Sequence, residues 1–406
     1  MTVVIDMMRG LGSRLAVVTG LGWLVLAGSA AGWLLGARLG WVEPVLGAAA
    51  GLLTFLLCGL FTLGRTTLRV DLAPHRRRLV AGEATAVDVR VTNLAGHRLL
   101  PLALEVGVGS TVEPFDLPGI PGNGGSHTTT FDVSAARRGV VPIGPATTVR
   151  ADPLGLMRRR VAWTGVTEVF VHPVTVRLEP LGHGLLRDLE GRITNDVSMS
   201  DLAFHTLREY VPGDDRRYIH WRSSAKVGSS VPGGRFLVRQ FRDTRRTHLL
   251  AIVDGDPAAY GDPDHFETAV SVGASVAVRA IDDELDATVF VADRWARERT
   301  GRRLTRQAVL DTCARAELRG GGLADLVARA VRLAPGATFA LLVTGVNTTY
   351  TTLRRVTAQL PPEVRATAVR VDPSARPGLS NGSTLRMLTL ADLADLRPLL
   401  MRGEGG

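Results

Sequence analysis

The chain is poor in cysteine, lysine and aromatic residues. Its 406 residues include two cysteines, Cys58 and Cys313, and 5% aromatics. Two isolated cysteines form neither a disulfide framework nor a zinc site, and we interpret both as small apolar fillers. Lys226 is the single lysine, so the phosphate-binding loop that ends in Gly-Lys-Ser/Thr is absent.

The His-Glu-x-x-His zinc helix and the Gly-x-Ser-x-Gly nucleophile elbow are absent from the sequence as well. His205 and His220 are conceivable bases, but a histidine that only packs or forms hydrogen bonds is more common. The glycine-rich stretch 228–234 is interpreted as a hairpin tip rather than a phosphate cradle. The sequence therefore predicts no cofactor and no enzymatic activity. An enzyme of cell-envelope metabolism is the least favoured alternative, because it lacks a nucleophile or an acid–base pair.

The positive charge comes almost entirely from arginine. The net charge is +9 and the isoelectric point is about 10.6. A basic chain suggests nucleic-acid binding, but no groove-reading motif or basic helix occurs. We attribute the charge to a general arginine bias and to residues that flank membrane segments. The sequence predicts no nucleic-acid partner.

Two long apolar runs are present near the amino terminus. Leu15–Gly36 and Val45–Gly64 are nearly free of charge, and each is long enough to cross a bilayer of roughly 30 Å. The short connection Ala37–Pro44 predicts an antiparallel helical hairpin. Trp33 and Trp41 lie near one boundary, where indole rings favour the interface. The interpretation for residues 1–65 is a transmembrane hairpin in the lipid bilayer.

The charges that flank these runs predict their orientation. The loop between them carries Arg38 beside Glu43, and the outer flanks carry Arg9, Arg14, Arg65, Arg69, Arg76, Arg77 and Arg78. The positive-inside rule places both ends and the soluble domains in the cytoplasm, at the plasma membrane. His75–Arg78 is either a lipid contact or a solvated turn. The alternative to the hairpin is a cleaved signal peptide with Ala27–Ala31 as its cleavage site.

The segment 66–175 has the pattern of β-strands. Val87, Val89 and Val91 alternate with polar residues, and an equivalent period of two runs through Leu100–Val108. Turn-forming residues separate these stretches. Several short strands at this spacing predict an immunoglobulin-like β-sandwich.

The segment 248–406 has a different pattern. Leu249–Val253 is a continuous apolar run, as expected for a strand buried on both faces, and helical patterns alternate with further strands. This alternation predicts a doubly wound, mainly parallel α/β sheet. Such sheets bind ligands at the carboxyl ends of their strands, here Asp254, Asp256 and the residues after Val343. Residues 176–247 are assigned to a linker that contains the motif described next.

The stretch Leu207–Lys226 combines four arginines, two aspartates, two tyrosines and a tryptophan. Pro212 and Gly213 fit a type II turn. Asp214 or Asp215 is then expected to cap a short helix. We also expect Asp214 to pair with Arg217 or Arg208, and Trp221 to stack on an arginine. The candidate residues for partner binding or interdomain contact are Arg208, Tyr210, Gly213, Asp214, Arg217, Trp221 and Lys226.

The sequence resembles the bacterial DUF58 family. The resemblance covers nearly the whole chain and is carried by Leu207–Tyr210, Pro212–Arg217, Ile219–Arg222, Ala225–Lys226 and Leu237–Phe241, with Arg138–Gly139 and Asp152–Gly155 upstream. It implies a membrane protein with a C-terminal von Willebrand factor A-like domain that acts as a non-enzymatic adaptor. The implied partner is a MoxR-type AAA+ ATPase.

Domains of the von Willebrand type hold a cation at a strand end with the sequence Asp-x-Ser-x-Ser, whereas this chain has Asp254-Gly-Asp-Pro-Ala258. Asp254 and Asp256 are therefore weak metal candidates, and we expect Asp254 to hydrogen-bond backbone amides instead. A cation-dependent protein-binding module remains the alternative function. The Leu207–Lys226 stretch has two interpretations, an internal brace between domains with a buried tryptophan, and a docking surface for a partner.

Overall fold

A computed structural model describes residues 17–62, 67–181, 202–211, 216, 219–228, 236–243, 247–297, 303–382 and 385–402. The chain divides into two compact units, Met1–His172 and Pro173–Gly406. The first contains two apolar helices and a β-rich part. The second contains a small β-ribbon and a mixed α/β sheet.

Two helices, α1 (Gly20–Leu39) and α2 (Val42–Thr62), are long and apolar enough to span a membrane. Thr19 caps α1, and its Oγ1 accepts a hydrogen bond from the Gly22 amide at 3.1 Å. Gly40, with φ of +70°, ends the helix in the left-handed conformation that glycine tolerates. The predicted connection 37–44 was too long, because both helices continue into it and leave only two residues between them.

Nine strands follow the helices within the first unit. They are β1 (Leu68–Pro74), β2 (Arg78–Val80), β3 (Ala84–Asn93), β4 (Leu102–Val108), β5 (Thr111–Leu117), β6 (Ser126–Ser134), β7 (Gly139–Ala151), β8 (Arg158–Ala162) and β9 (Thr167–His172). One sheet has the order β1-β3-β6. The other has the order β2-β9-β7-β4-β5, with β8 also paired to β7. Alternate residues of β3 are buried, and both sheets contribute to one hydrophobic core.

The helices and the β-rich part meet at the turn after β7. Asp152 in this turn is 5% exposed, and its carboxylate oxygens accept the Leu156 amide at 2.7 and 2.8 Å. The Leu156 carbonyl in turn accepts the Thr19 amide at 3.0 Å. A Cβ atom on Gly22 would lie 2.3 Å from that carbonyl oxygen, so only glycine fits there. The aspartate thereby shapes the turn against which α1 packs.

Within the stretch assigned to a linker, β10 (Leu202–Glu209) pairs antiparallel with β11 (Leu237–Asp243), and α3 (Trp221–Gly228) lies between them in sequence. The sequence analysis left these strands unassigned. Another stretch of the predicted linker belongs to the α/β core, because Leu178 and Leu181 are buried in it. The Val176 amide donates to Ser275 Oγ at 3.1 Å and the Leu181 amide donates to Asp283 Oδ2 at 2.8 Å.

The α/β part contains the strands β12 (His248–Val253), β13 (Asp286–Val291), β14 (Arg294–Arg297), β15 (Phe339–Gly345), β16 (Arg365–Val371), β17 (Gly378–Asn381) and β18 (Arg386–Leu390). Its helices are α4 (Pro263–Asp282), α5 (Arg306–Arg315), α6 (Leu323–Leu333), α7 (Tyr350–Thr357) and α8 (Leu396–Arg402).

The sheet order is β14-β13-β12-β15-β16-β18-β17. The five inner strands are parallel, and the edge strands β14 and β17 are antiparallel to their neighbours. One core cluster joins the sheet to α4, α5 and α8, and a second joins it to α6 and α7. Helices therefore cover both faces, which explains why β12 and β15 are continuous apolar runs.

Candidate functional site

The chain reverses its direction of travel across the α/β sheet between β12 and β15. From β12 the chain proceeds to β13 on one side, and it later crosses to β15 on the other. This arrangement makes the carboxyl ends of β12 and β15 the topological switch point, where open α/β sheets hold ligands. Asp254 follows β12 directly, and Thr344 lies near the end of β15.

Asp254 is 2% exposed and its carboxylate is held from two directions. Oδ1 accepts the Asp256 amide at 3.1 Å, and Oδ2 accepts the Thr344 hydroxyl at 2.8 Å. The Thr344 hydroxyl lies 2.7 Å from that of Thr348, so three polar side chains form a buried hydrogen-bonded row. The Tyr260 hydroxyl donates to the Asp254 carbonyl at 2.7 Å. The prediction that Asp254 bonds backbone is confirmed.

Burial raises the pKa of Asp254, and its hydrogen bonds with the Asp256 amide and Thr344 oppose this effect only in part. Asp256 has a separate role, since its Oδ1 accepts the Ala258 amide at 2.9 Å and caps the short 3₁₀ helix Pro257–Ala259. Across the described ranges, no group of three or more His, Cys, Asp or Glu side chains could hold a metal ion. The carboxylate and the two hydroxyls offer oxygen ligands, but a cation would have to replace their mutual hydrogen bonds.

The motif region forms a small ribbon-and-helix unit. His220 precedes α3, and its Nδ1 accepts the Ser223 amide at 3.1 Å. Ser224 is buried and links the helix to β11, because its Oγ donates to the His220 carbonyl and accepts the Leu237 amide at 2.8 Å. Ile219 forms an isolated β-bridge with Val238, and both are buried. His220 thus has a structural role in capping the helix.

Three rings form an aromatic patch, which we define as Tyr210, Trp221 and Phe236. Phe236 lies edge-on to both others, with centroid distances of 5.7 Å to Trp221 and 6.5 Å to Tyr210. The Tyr210 amide donates to the Phe236 carbonyl at 2.8 Å, which fixes the backbone of these two rings. Trp221 remains 62% exposed and Phe236 47% exposed. The brace interpretation requires a buried tryptophan, and Trp221 is exposed instead.

Several predicted site residues fall outside the described residues. They are Gly213, Asp214 and Arg217, together with the side chain of Arg208. The predicted turn and the Asp214–Arg217 pair therefore stay predictions. The predicted cap at Asp214 or Asp215 also lies outside the described residues and stays a prediction. Ile219 lies in a β-bridge and α3 begins at Trp221, so a single helix from that cap to Lys226 is not formed. Lys226 lies in the last turn of α3 with an exposed side chain.

The sequence analysis predicted that the residues after Val343 lie beside Asp254, and Thr344 does so. It did not name Thr344, Thr348 or Phe236 individually. Thr344 had one available signal, a polar residue near the end of an otherwise apolar strand that faces the switch point. No sequence pattern indicated Phe236, because the segment between it and its partner Trp221 has no recognisable periodicity. The structure brings Tyr210 and Trp221 together through this unpredicted ring.

Comparison with known proteins assigns no family. No family model and no curated protein matches the chain. Among solved structures, the CARDB domain of a Pyrococcus furiosus protein in complex with di-metal ions is 15% identical, with 26% of this chain and 88% of that one covered and a TM-score of 0.21. An alkylpurine DNA glycosylase of Pseudomonas fluorescens is 12% identical, with 32% and 38% covered and a TM-score of 0.20.

Proposed function

We propose that the chain is a non-enzymatic, membrane-anchored adaptor of the DUF58 type that binds a MoxR-type AAA+ ATPase. The proposal includes an immunoglobulin-like sandwich for the β-rich part and a von Willebrand A-like character for the α/β part. The two sheets around one core support the first assignment. The parallel sheet with helices on both faces supports the second.

The aromatic patch is the observation that carries the adaptor function. Aromatic and arginine side chains are enriched at the centres of protein interfaces. Trp221 and Phe236 are exposed beside one another, and Arg222 is exposed on the same short helix. A ribbon that fixes the patch through backbone hydrogen bonds lowers the ordering cost of binding. These features favour a docking surface over an internal brace.

The membrane anchor rests on α1 and α2, which have the length and composition of spans. With the arginine-rich outer flanks, we propose a multi-pass protein of the plasma membrane whose soluble domains are cytoplasmic. This orientation places the aromatic patch in the compartment of the proposed ATPase.

The test is capture of a purified MoxR-type ATPase by the full chain in nanodiscs. We expect Trp221→Ala to weaken binding at least about tenfold, as truncation of an interfacial hot spot does. Trp295→Ala is the matched control, because Trp295 is 43% exposed on β14 and lies outside the patch. Absence of saturable capture, or equal loss in both variants, would contradict the proposal.

A second candidate is a cation-dependent protein-binding module of the von Willebrand type. The position of Asp254, Thr344 and Thr348 at the switch point favours it, since carboxylate and hydroxyl oxygens are ligands for hard cations. Calorimetry of the full chain with Mg²⁺ and Mn²⁺ tests it, with Asp254→Asn as the variant. A flat titration of the unmodified chain argues against this candidate and leaves the adaptor proposal intact.

A further inference from the structure

A basic cavity lies at the amino ends of the parallel strands, whereas Asp254 lies at their carboxyl ends. Its volume is about 810 Å³, within the range of small-molecule sites. Its lining includes residues at the amino ends of three neighbouring parallel strands, Phe339 of β15, Arg365 of β16 and Arg386 of β18. Phe339 is paired in register with Arg365, and Arg386 with Thr367, so the strand pairing fixes this edge of the cavity.

The cavity is lined by residues of one charge sign. Arg354 and Arg355, from the end of α7, join Arg365 and Arg386, and no acidic residue contributes to the lining. Positive charges that line one cavity favour the binding of an anion there. Solvent screening moderates this attraction at Arg354 and Arg355, which are exposed.

Arg386 provides a second, independent observation. Its Nε and Nη2 atoms are buried, and neither has a hydrogen-bond partner within the described part of the chain. A buried donor without a partner loses its hydration and gains nothing in return, and the cost is larger for a charged group.

We propose that this cavity binds a phosphate-bearing small anion, with Arg386 as its innermost cation and Arg354 and Arg355 as its outer counter-charges. Phosphate suits the cavity better than a single carboxylate, because several cations converge and phosphate carries more charge and more acceptor oxygens. A polyphosphate group carries several charges and so matches this convergence. The phosphate group belongs either to a soluble metabolite or to a lipid headgroup, and the experiment separates these sources.

The test uses the full chain in nanodiscs of zwitterionic lipid, titrated with pyrophosphate and with ATP in isothermal calorimetry. We expect saturable binding that weakens as salt is raised. Arg386→Gln should lower the affinity at least about tenfold, the loss expected for one charge-assisted pair. Arg354→Gln keeps the test independent of folding, since its side chain is exposed on a helix, and it should lower the affinity by a smaller factor.

Arg332→Gln is the matched control, because Arg332 is an exposed arginine of α6 outside the cavity lining and its substitution removes the same charge. Pyrophosphate should raise the melting temperature of the unmodified chain and of Arg332→Gln by equal amounts, and that of Arg386→Gln by less at the same concentration. Binding that all three arginine variants retain in full would overturn the proposal.

A parallel titration uses vesicles of phosphatidate in a zwitterionic background. Binding of these vesicles that depends on Arg386, with no response to the soluble phosphates, assigns the site to a lipid headgroup. The reverse result assigns it to a soluble phosphate. Absence of Arg386-dependent binding in both titrations would overturn the proposal and leave the adaptor function untouched.

Discussion

Two buried aspartates occupy comparable positions in the two units of the chain. Asp152 follows β7 and Asp254 follows β12, and both carboxylates accept backbone amides of the turn that comes next. The partners differ at the second oxygen. Both oxygens of Asp152 accept amides, from Leu156 and Met157, and the carboxylate also forms a side-chain hydrogen bond with Cys58. In Asp254, by contrast, Oδ1 accepts an amide and Oδ2 accepts the hydroxyl of Thr344.

This difference decides what each position tolerates. An amide only donates, so the oxygens of Asp152 must remain acceptors. A hydroxyl both donates and accepts, so the row from Asp254 through Thr344 to Thr348 can reverse its direction. Burial and position after a strand are shared by both aspartates. The hydrogen-bond partners therefore decide what can replace each carboxylate. Asp152 must keep two acceptor oxygens, whereas a group that also donates can replace Asp254.

The largest effect is expected from the packing of the Asp254 turn rather than from its carboxylate. A Cβ on Gly255 would lie 2.5 Å from the Ala292 Cα and 2.9 Å from the Arg319 carbonyl oxygen, and backbone cannot move aside cheaply. We expect Gly255→Ala to lower the free energy of unfolding by about 3 kcal/mol, the upper part of the usual overpacking cost.

Thermal unfolding of the full chain measures this effect, with Gly322→Ala as the control. Gly322 precedes α6, has no atom within 4 Å of a built Cβ and has a negative φ, so alanine fits there. Equal stability of the two variants would mean that the Asp254 turn is loosely packed. The hydrogen bonds of the Asp254 carboxylate would then be what holds the turn in place.

A loss of intermediate size is expected for Asp152→Asn. The amide group retains one acceptor oxygen but turns an NH₂ group toward the Leu156 and Met157 amides, which cannot accept. We expect a loss of about 1–3 kcal/mol in the free energy of unfolding. Hydrogen exchange at these two amides should accelerate more than exchange within β3, which lies in the same unit. Unchanged exchange at both amides would show that Asp152 does not hold this turn.

The sequence predicted the parts of the fold where periodicity and burial coincide. Val87, Val89 and Val91 alternate because β3 has one buried face, and all three are fully buried. Leu249–Val253 is apolar throughout because helices cover both faces of the sheet. Pairing between distant short segments was not predictable. The edge strand β17 spans four residues, and β10 and β11 depend on each other for their assignment.

The candidate sites show the same limit. Asp254 and the residues after Val343 were predictable as one site because each follows an apolar strand directly. The individual contact between Asp254 and Thr344, which lie 90 residues apart, depends on the parallel pairing of β12 and β15 and was not predictable. The arginines of the basic cavity come from α7, β16 and β18, and their charge is not concentrated in any one segment of the sequence.

The smallest effect is expected for Asp254→Asn. The new NH₂ group donates to the Thr344 hydroxyl, which then donates to Thr348, while the remaining oxygen still accepts the Asp256 amide. We expect the free energy of unfolding at neutral pH to stay within about 1 kcal/mol of the unmodified chain, or to rise, because the variant buries no charge.

The difference in unfolding free energy between Asp254→Asn and the unmodified chain should depend on pH in a definite direction. Burial raises the pKa of folded Asp254 above its ordinary 3.8, so the folded chain holds this proton more tightly than the unfolded chain. The contribution of Asp254 to stability is therefore largest below pH 3.8 and is lost as the pH rises through the folded pKa. Asp254→Asn lacks this loss, so its stability relative to the unmodified chain should increase with pH and then level off. Denaturant unfolding of both proteins between pH 4 and pH 7 measures the difference. A difference that shrinks with pH would mean that the Asp254 carboxylate is stabilised by its partners, as a fixed acceptor would be, and the contrast with Asp152 would disappear.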